Sequence, residues 1–351
     1  MTVSVEIADP RTEPEPHGWS GFRAAGGLPA VWDYDLLALE SWAARNPPLL
    51  LVVREGARIV AGATVLVCRP RLRPAYAAPP RRRGAPVPLW AEVYQPWLSG
   101  FAGVAFAEDV DEPGTAELLR RVERALAARL GPRLLGVLYR AVDTTLAAAL
   151  AGRGRLVRQV DTVSVLANTF GGEDDWLGSL SKSRRSSVRR SLREVERRVA
   201  SARLVIRGGP ARDDLHGREI AALVNRHRAE RGVPRLETRS PLLGSYFHRF
   251  VKRPDVHTLT YHDDEGRLLA LNTMLENSRC LVKQHWAALP PADGGVRHLL
   301  FDSYARAVRH MVSAGVAELS AGRRPHDVKR SLGFAPRPVY GVAVPRPVMG
   351  R

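Results

Sequence analysis

Four lysines, Lys182, Lys252, Lys283 and Lys329, stand among the 53 basic residues of this 351-residue chain. Arginine takes the other 49 basic positions, as a GC-rich genome would favour, so a position that stays lysine asks for a chemical reason. Lys283 and His285 lie two apart in an apolar, strand-like run with Trp286 beside them. Side chains two apart on a strand share a face, so the pair is expected to line one cleft. An imidazole with a pKa near 6.5 suits a general base at neutrality; a Lys and His turned to solvent is the competing reading. Asp302 and Tyr304, at the start of the next helix, are weaker candidates. Lys329 falls in the run Asp327-Val328-Lys329-Arg330-Ser331-Leu332-Gly333-Phe334. It either does chemistry or, as an exposed helix-end residue, satisfies carbonyls near Gly333.

A second set of residues suits phosphate. From 182 to 198 the chain carries eight basic and two acidic side chains, with Lys182, Arg184, Arg185, Arg189, Arg190, Arg193 and Arg197 as the candidate contacts. Val188, Leu192, Val195 and Val199 recur at helical spacing and are expected to form one buried stripe. The rest of that helix is then strongly positive and short of acidic partners. Unpaired like charges at helical spacing cost roughly 0.2–0.5 kcal/mol per pair, which a polyanion would offset; a solvated face is the alternative. Gly294, Gly295 and Arg297, in Pro290-Pro291-Ala292-Asp293-Gly294-Gly295-Val296-Arg297, precede another helix and could hold a phosphate at its N-terminus. Arg81-Arg82-Arg83 could touch one too, but reads first as surface-loop charge. The remaining histidines show no metal-ligand spacing, and no metal is expected.

Composition bounds these readings. The net charge of +17, apolar fraction of 45% and mean hydropathy of −0.19 describe a folded protein rather than a disordered basic tail. Residues 1–165 carry a net charge of +3 and residues 166–351 a net of +14, so a polyanion should meet the C-terminal half. Cys68 and Cys280, alone in apolar runs, exclude a disulfide framework. With neither a secretory signal nor an apolar run long enough to span a bilayer, a cytoplasmic protein is expected.

The elements that must position these residues come in a repeated order. Strands are expected at 204–207, 256–261, 267–276, 279–286, 316–320 and 339–344, with helices at 174–200, 213–230, 241–251, 296–313 and 326–332. In the N-terminal half, strands at 49–54 and 59–68, a helix at 115–130, a strand at 134–139, a short helix at 143–151 and a strand at 160–167 repeat the later part of that cadence. The expected class is α/β (α+β), in two domains of mixed, mostly antiparallel sheet flanked by helices. Residues 1–17 are expected to be a flexible arm, 18–168 one domain, and 169–351 the other with the basic helix at 174–200. The Pro/Arg-rich segment 69–88 reads as a surface loop.

This order, together with Leu180-Ser181-Lys182-Ser183-Arg184-Arg185 opening the basic helix and the Lys329 run, resembles the Fem-type (FemABX-like) branch of the GNAT acyltransferases. The resemblance implies two GNAT domains in tandem and transfer of an aminoacyl group from aminoacyl-tRNA to an amine. That amine belongs to a cell-wall precursor, a peptide or a small natural-product intermediate. It also implies that Lys329 sits beside the reacting ester. A compact ammonium on a flexible stem reaches a transient oxyanion there more readily than a guanidinium fork. The family's aromatic residue before that lysine is replaced by Val328.

Related GNAT enzymes use acyl-CoA, whose pyrophosphate rests on an Arg/Gln-x-x-Gly-x-Gly/Ala loop. Here the leading Arg or Gln is missing, Asp293 places a negative charge in the loop, and no tyrosine suited to a CoA thiolate stands in 322–333. Aminoacyl-tRNA is therefore the favoured donor, needing no bound cofactor, with tRNA and a small amine or peptide as partners. Acyl-CoA transfer and a non-catalytic RNA- or phosphate-binding protein are the alternatives. The oligomeric state leaves no signature in the sequence.

Overall fold

The computed structural model describes residues 3–44, 46–69, 88–95, 100–230, 241–277, 279–323 and 325–351. Most of the Pro/Arg-rich segment, including Arg81-Arg82-Arg83, lies outside the described residues. Among those described, the chain divides into two units, 3–162 with 338–351 and 163–230 with 242–337. The first unit runs through β1 (Val3–Ala8), α1 (Trp19–Ala25), α2 (Tyr34–Ala43), β2 (Pro48–Glu55), β3 (Arg58–Cys68), β4 (Leu89–Val93) and β5 (Val104–Phe106). It continues with α3 (Glu112–Leu130), β6 (Leu134–Val142), α4 (Thr144–Leu150) and the start of β7 (Leu156–Ala167). β7 carries the chain into the second unit, which holds α5 (Glu173–Ser179), α6 (Lys182–Ala200), β8 (Val205–Pro210), α7 (Gly217–Glu230), α8 (Gly244–Phe250) and β9 (Val256–His262). There follow β10 (Leu268–Glu276), β11 (Cys280–Ala288), α9 (Leu299–Ala314), β12 (Glu318–Ser320) and α10 (His326–Arg330). β13 (Ala335–Pro345) ends the chain's strands.

In the first unit the sheet order is β1-β2-β3-β4-β6-β13, with β5 pairing β3. β4 and β6 pair in parallel. Buried Leu51, Val53, Val65, Val93, Val137 and Tyr139 face Leu119, Val122 and Leu126 of α3. Two expectations are corrected here. Residues 3–8 of the expected loose arm form β1, whose Val3, Val5 and Ile7 alternate onto the core and pair antiparallel with β2. Residues 338–351, expected in the C-terminal domain, belong to this unit because Val342 and Val344 fill its core and β13 pairs β6.

In the second unit the order is β7-β12-β11-β10-β9-β8. All pairs are antiparallel except β11 with β12. One face carries α5, α6 and α9, whose Trp176, Val188, Leu192, Ala305, Val308 and Met311 pack with Leu166, Met274, Leu281 and Leu319. The expected helix over 174–200 is two helices. The Ser181 hydroxyl accepts from the Arg184 amide at 3.4 Å and caps α6 after Leu180 has left helical geometry. The stripe of α6 also differs from the expected one: Val188, Ser191, Leu192 and Val195 are buried, whereas Val199 is 42% exposed. The mixed α/β class is as expected. Among the described residues no helix is long and apolar enough to cross a membrane.

Candidate functional site

The second sheet splits where its two parallel strands part. β11 and β12 pair at Cys280 with Glu318, Leu281 with Leu319 and Val282 with Ser320, and no further. On its other side the β12 chain stays attached, since Ala321 donates to the Ser164 carbonyl at 2.9 Å and Ser164 donates to that of Gly322 at 3.0 Å. Lys283 is the first residue of β11 beyond the last pair.

Lys283 is 7% exposed. Its Nζ donates to Ser303 Oγ at 2.8 Å and lies 4.8 Å from the Tyr304 ring centroid and 5.2 Å from that of Trp286. Burial pushes its ammonium well below the usual lysine range, the charge of Lys329 pushes the same way, and Asp302 opposes both. Asp302 is buried on α9, where it accepts from the Tyr261 hydroxyl at 2.7 Å and from Arg306 Nε at 2.7 Å. Burial, then that carboxylate, lifts the Tyr261 phenol well above its usual value.

Lys329 is not an exposed helix-end residue. It is 3% exposed, and its Nζ donates to the Gly322 carbonyl at 3.1 Å and to the Arg323 carbonyl. Its own carbonyl accepts from Leu332 and Phe334, while Gly333 takes a left-handed φ of 87° that turns the chain out of α10. Trp176 Nε1 holds the Leu332 carbonyl at 3.0 Å and ties this turn to α5.

His285 does not join the two lysines, and the expected shared face is corrected by a bulge. β10 and β11 pair Met274 with Lys283 but Thr273 with His285, so Gln284 is the extra residue and the period-2 alternation is lost. Lys283 therefore faces α9, whereas His285 packs against Phe247 and Phe250 of α8, with ring centroids 5.2 and 5.9 Å away. Trp286 takes the face expected for His285. The histidines His257 and His310 meet elsewhere, at 4.4 Å between ring centroids.

Asn272 is a residue that the sequence reading missed. It is fully buried, with neither Nδ2 nor Oδ1 hydrogen-bonded. It pairs with Leu259 on β9 and Trp286 on β11, which puts it on the Lys283 face. Its signal was a lone amide in the run Leu268-Leu269-Ala270-Leu271-Asn272-Thr273-Met274-Leu275.

The phosphate candidates separate into two places. On α6, Arg197 and Arg198 share Glu194, and Arg185 donates to the Gly178 carbonyl at 2.9 Å. Lys182, Arg184, Arg189, Arg190 and Arg193 have no side-chain partner among the described residues, and all of these but the half-buried Arg184 are exposed. In the loop before α9, Gly294 has a left-handed φ of 84°, and a Cβ on Gly295 would lie 1.9 Å from the Leu289 carbonyl oxygen. Arg297 is exposed. The Asp293 carboxylate, expected to oppose a phosphate there, is ion-paired with Arg226 of α7.

No protein-family model matches the chain, and no curated protein matches it in sequence. Solved structures do resemble it. L-PGS from Bacillus licheniformis matches with a TM-score of 0.57 at 11% identity, over 97% of this chain and 98% of that one. The C-terminal domain of a putative lysylphosphatidylglycerol synthetase from Agrobacterium fabrum gives 0.55 at 11% identity, covering 92% and 89%. FemX gives 0.52 at 10% identity, covering 86% and 90%. The likeness, at these identities, is one of fold, and it agrees with the GNAT fold that the resemblance implies.

Proposed function

We propose that the chain is a Fem-type N-acyltransferase that moves an aminoacyl group from aminoacyl-tRNA to an amine, forming an amide on a cell-wall precursor, peptide or natural-product intermediate. The observation that carries this reading is the pair of buried lysines at the split between β11 and β12. Burying one ammonium is costly, and burying two within reach of each other's field costs more. Lys283 donates to a hydroxyl and Lys329 to two backbone carbonyls, and the arrangement supports a site built for charge that develops during a reaction.

The two lysines divide the work. The acceptor nitrogen attacks the ester carbonyl carbon, the C–N bond forms, and the oxyanion is stabilised by the Lys329 ammonium. Lys283, whose environment favours the neutral amine, takes the proton released by the attacking nitrogen. Collapse of the tetrahedral intermediate breaks the bond to the 3′-oxygen of tRNA. That oxygen receives the proton back from Lys283, which leaves the enzyme unchanged. Positioning and oxyanion stabilisation supply the catalysis, with no covalent enzyme intermediate.

The unpaired basic face of α6 supports tRNA as the carrier. Contacts from such a face go to phosphates, because an A-form stem hides its base edges in a narrow major groove. One structural neighbour is named as a putative lysylphosphatidylglycerol synthetase, a name that describes attachment of an amino acid, and this supports the same cargo.

Acyl-CoA is the second reading. It is favoured by the pairing of Asp293 with Arg226, which removes the charge that would repel a pyrophosphate at the start of α9. The test is direct: charged tRNAs and acetyl-CoA are offered separately with candidate amines, and the amide product is followed by mass. Transfer from charged tRNA supports the first reading, and transfer from acetyl-CoA alone replaces it with the second.

A further inference from the structure

The buried carboxamide of Asn272 makes no hydrogen bond to the fold around it. Nothing else in its run is polar before Thr273, and a leucine of similar volume would continue the apolar pattern. Leaving a buried amide without hydrogen bonds costs about 1–3 kcal/mol, and native interiors seldom leave such groups orphaned without a functional reason. Asn272 lies on the Lys283 face of the sheet, two residues along β10 from that lysine's register partner Met274. Its register partner is Trp286, whose ring is 5.2 Å from Lys283 Nζ and 6.4 Å from the Tyr261 ring.

Resting on the aminoacyl-transfer reading, we propose that Asn272 recognises the α-aminoacyl group of the donor, its Oδ1 accepting from the α-amine and its Nδ2 donating to the acyl carbonyl oxygen. The chemistry of the two partners matches. The amine and carbonyl of an α-aminoacyl ester sit on adjacent carbons and can turn to the same side, presenting a donor next to an acceptor. A carboxamide edge presents the complement. A simple acyl group offers only the acceptor, and a trans secondary amide points its N–H and C=O in opposite directions. The same contact fixes the carbonyl beside Lys283 and adds a second donor to the oxyanion formed there. Asn272 is thus a specificity and positioning residue, reading whether the cargo is an amino acid.

Two donors test this: a tRNA carrying its amino acid, and the same tRNA acylated chemically with the corresponding acid lacking the α-amine. The wild type should prefer the aminoacyl donor in kcat/KM by about ten- to a hundredfold, since the deamino donor leaves the buried Oδ1 unpaired. Asn272→Leu, checked for native melting, should bring that ratio close to one while still turning over the deamino donor. A wild type that uses both donors equally, or an Asn272→Leu enzyme that keeps the preference, overturns the assignment and leaves the transfer reading intact. No transfer by the wild type from any charged tRNA removes the transfer reading itself, and this assignment with it. If Asn272→Leu melts early, Asn272→Asp keeps the size and the acceptor but loses the N–H donor. It should then lower kcat on both donors while retaining preference for the amine, and an unchanged kcat contradicts the assignment.

Discussion

Lys283 on β11 is driven toward its neutral form first by burial and then by the positive charge of Lys329, against the pull of Asp302. Two of the four lysines in an arginine-rich chain thus act on each other inside one unit. Arginine could not replace Lys283 in this arrangement: a guanidinium does not give up its proton.

Lys329→Met should sharply slow acyl transfer while leaving tRNA binding intact. The expected loss is about 10²–10³ in kcat, the size found when one oxyanion donor is removed. Single-turnover kinetics beside a tRNA titration measures both. Turnover near the wild-type rate would take Lys329 out of the mechanism.

Lys283→Met should destroy activity and raise stability together. A lysine whose folded pKa lies below its ordinary value of 10.5 destabilises the folded state below that folded pKa, and the penalty fades as pH rises toward 10.5. Methionine removes it, so Tm near pH 6–7 should rise by a few degrees. The wild-type kcat/KM should grow with pH through an acid limb as Lys283 loses its proton. A pH-independent rate, or a less stable Lys283→Met protein, would count against the assigned role.

Salt should weaken tRNA binding steeply. Each phosphate contact contributes roughly −0.7 to −0.9 to the slope of log affinity against log salt. Replacing Arg189, Arg190 and Arg193 by alanine should make the slope shallower by about 2–3, without changing the melting temperature of these exposed positions. An unchanged slope would move the tRNA contact off α6.

The pair of His257 and His310 predicts an acid weakness outside the site. Burial, then the neighbouring His310, lowers the His257 pKa from 6.5 to about 4; Arg212 adds to this, and Glu276, which bonds His310 at 2.8 Å, opposes it. The unfolded chain binds more protons between those values. Stability from the neutral ring is therefore full above about pH 6.5 and is lost as pH falls toward 4. His257→Gln should flatten the fall in Tm across that window, which a melting series from pH 4 to 7 reads directly.

Much of this was legible from residue types alone. The apolar periods located strands β2, β3, β9, β10 and β11 to within two residues, and Lys329 stood out as a lysine retained among arginines. Local pattern failed where pairing decided the outcome. Period-2 alternation placed His285 beside Lys283, but the register with Thr273 and Met274 inserts Gln284 and turns the imidazole toward α8. Ser181 broke the expected long helix through a cap worth about 1 kcal/mol, outweighing the periodicity that ran across it. The pairing of β13 with β6 joins residues far apart in the chain, and nothing local announces it. Asn272 was visible as a lone amide in an apolar strand, yet only its unpartnered burial gives that oddity a chemical meaning.

Incubating the wild-type protein with a panel of charged tRNAs and candidate amine acceptors, and following amide product by mass as aminoacyl ester is lost, decides whether this chain transfers aminoacyl groups. Stoichiometric amide should form from at least one charged tRNA, and about 10²–10³-fold more slowly with Lys329→Met. No aminoacyl loss from any charged tRNA, together with acetylation of an acceptor by acetyl-CoA, would contradict this reading.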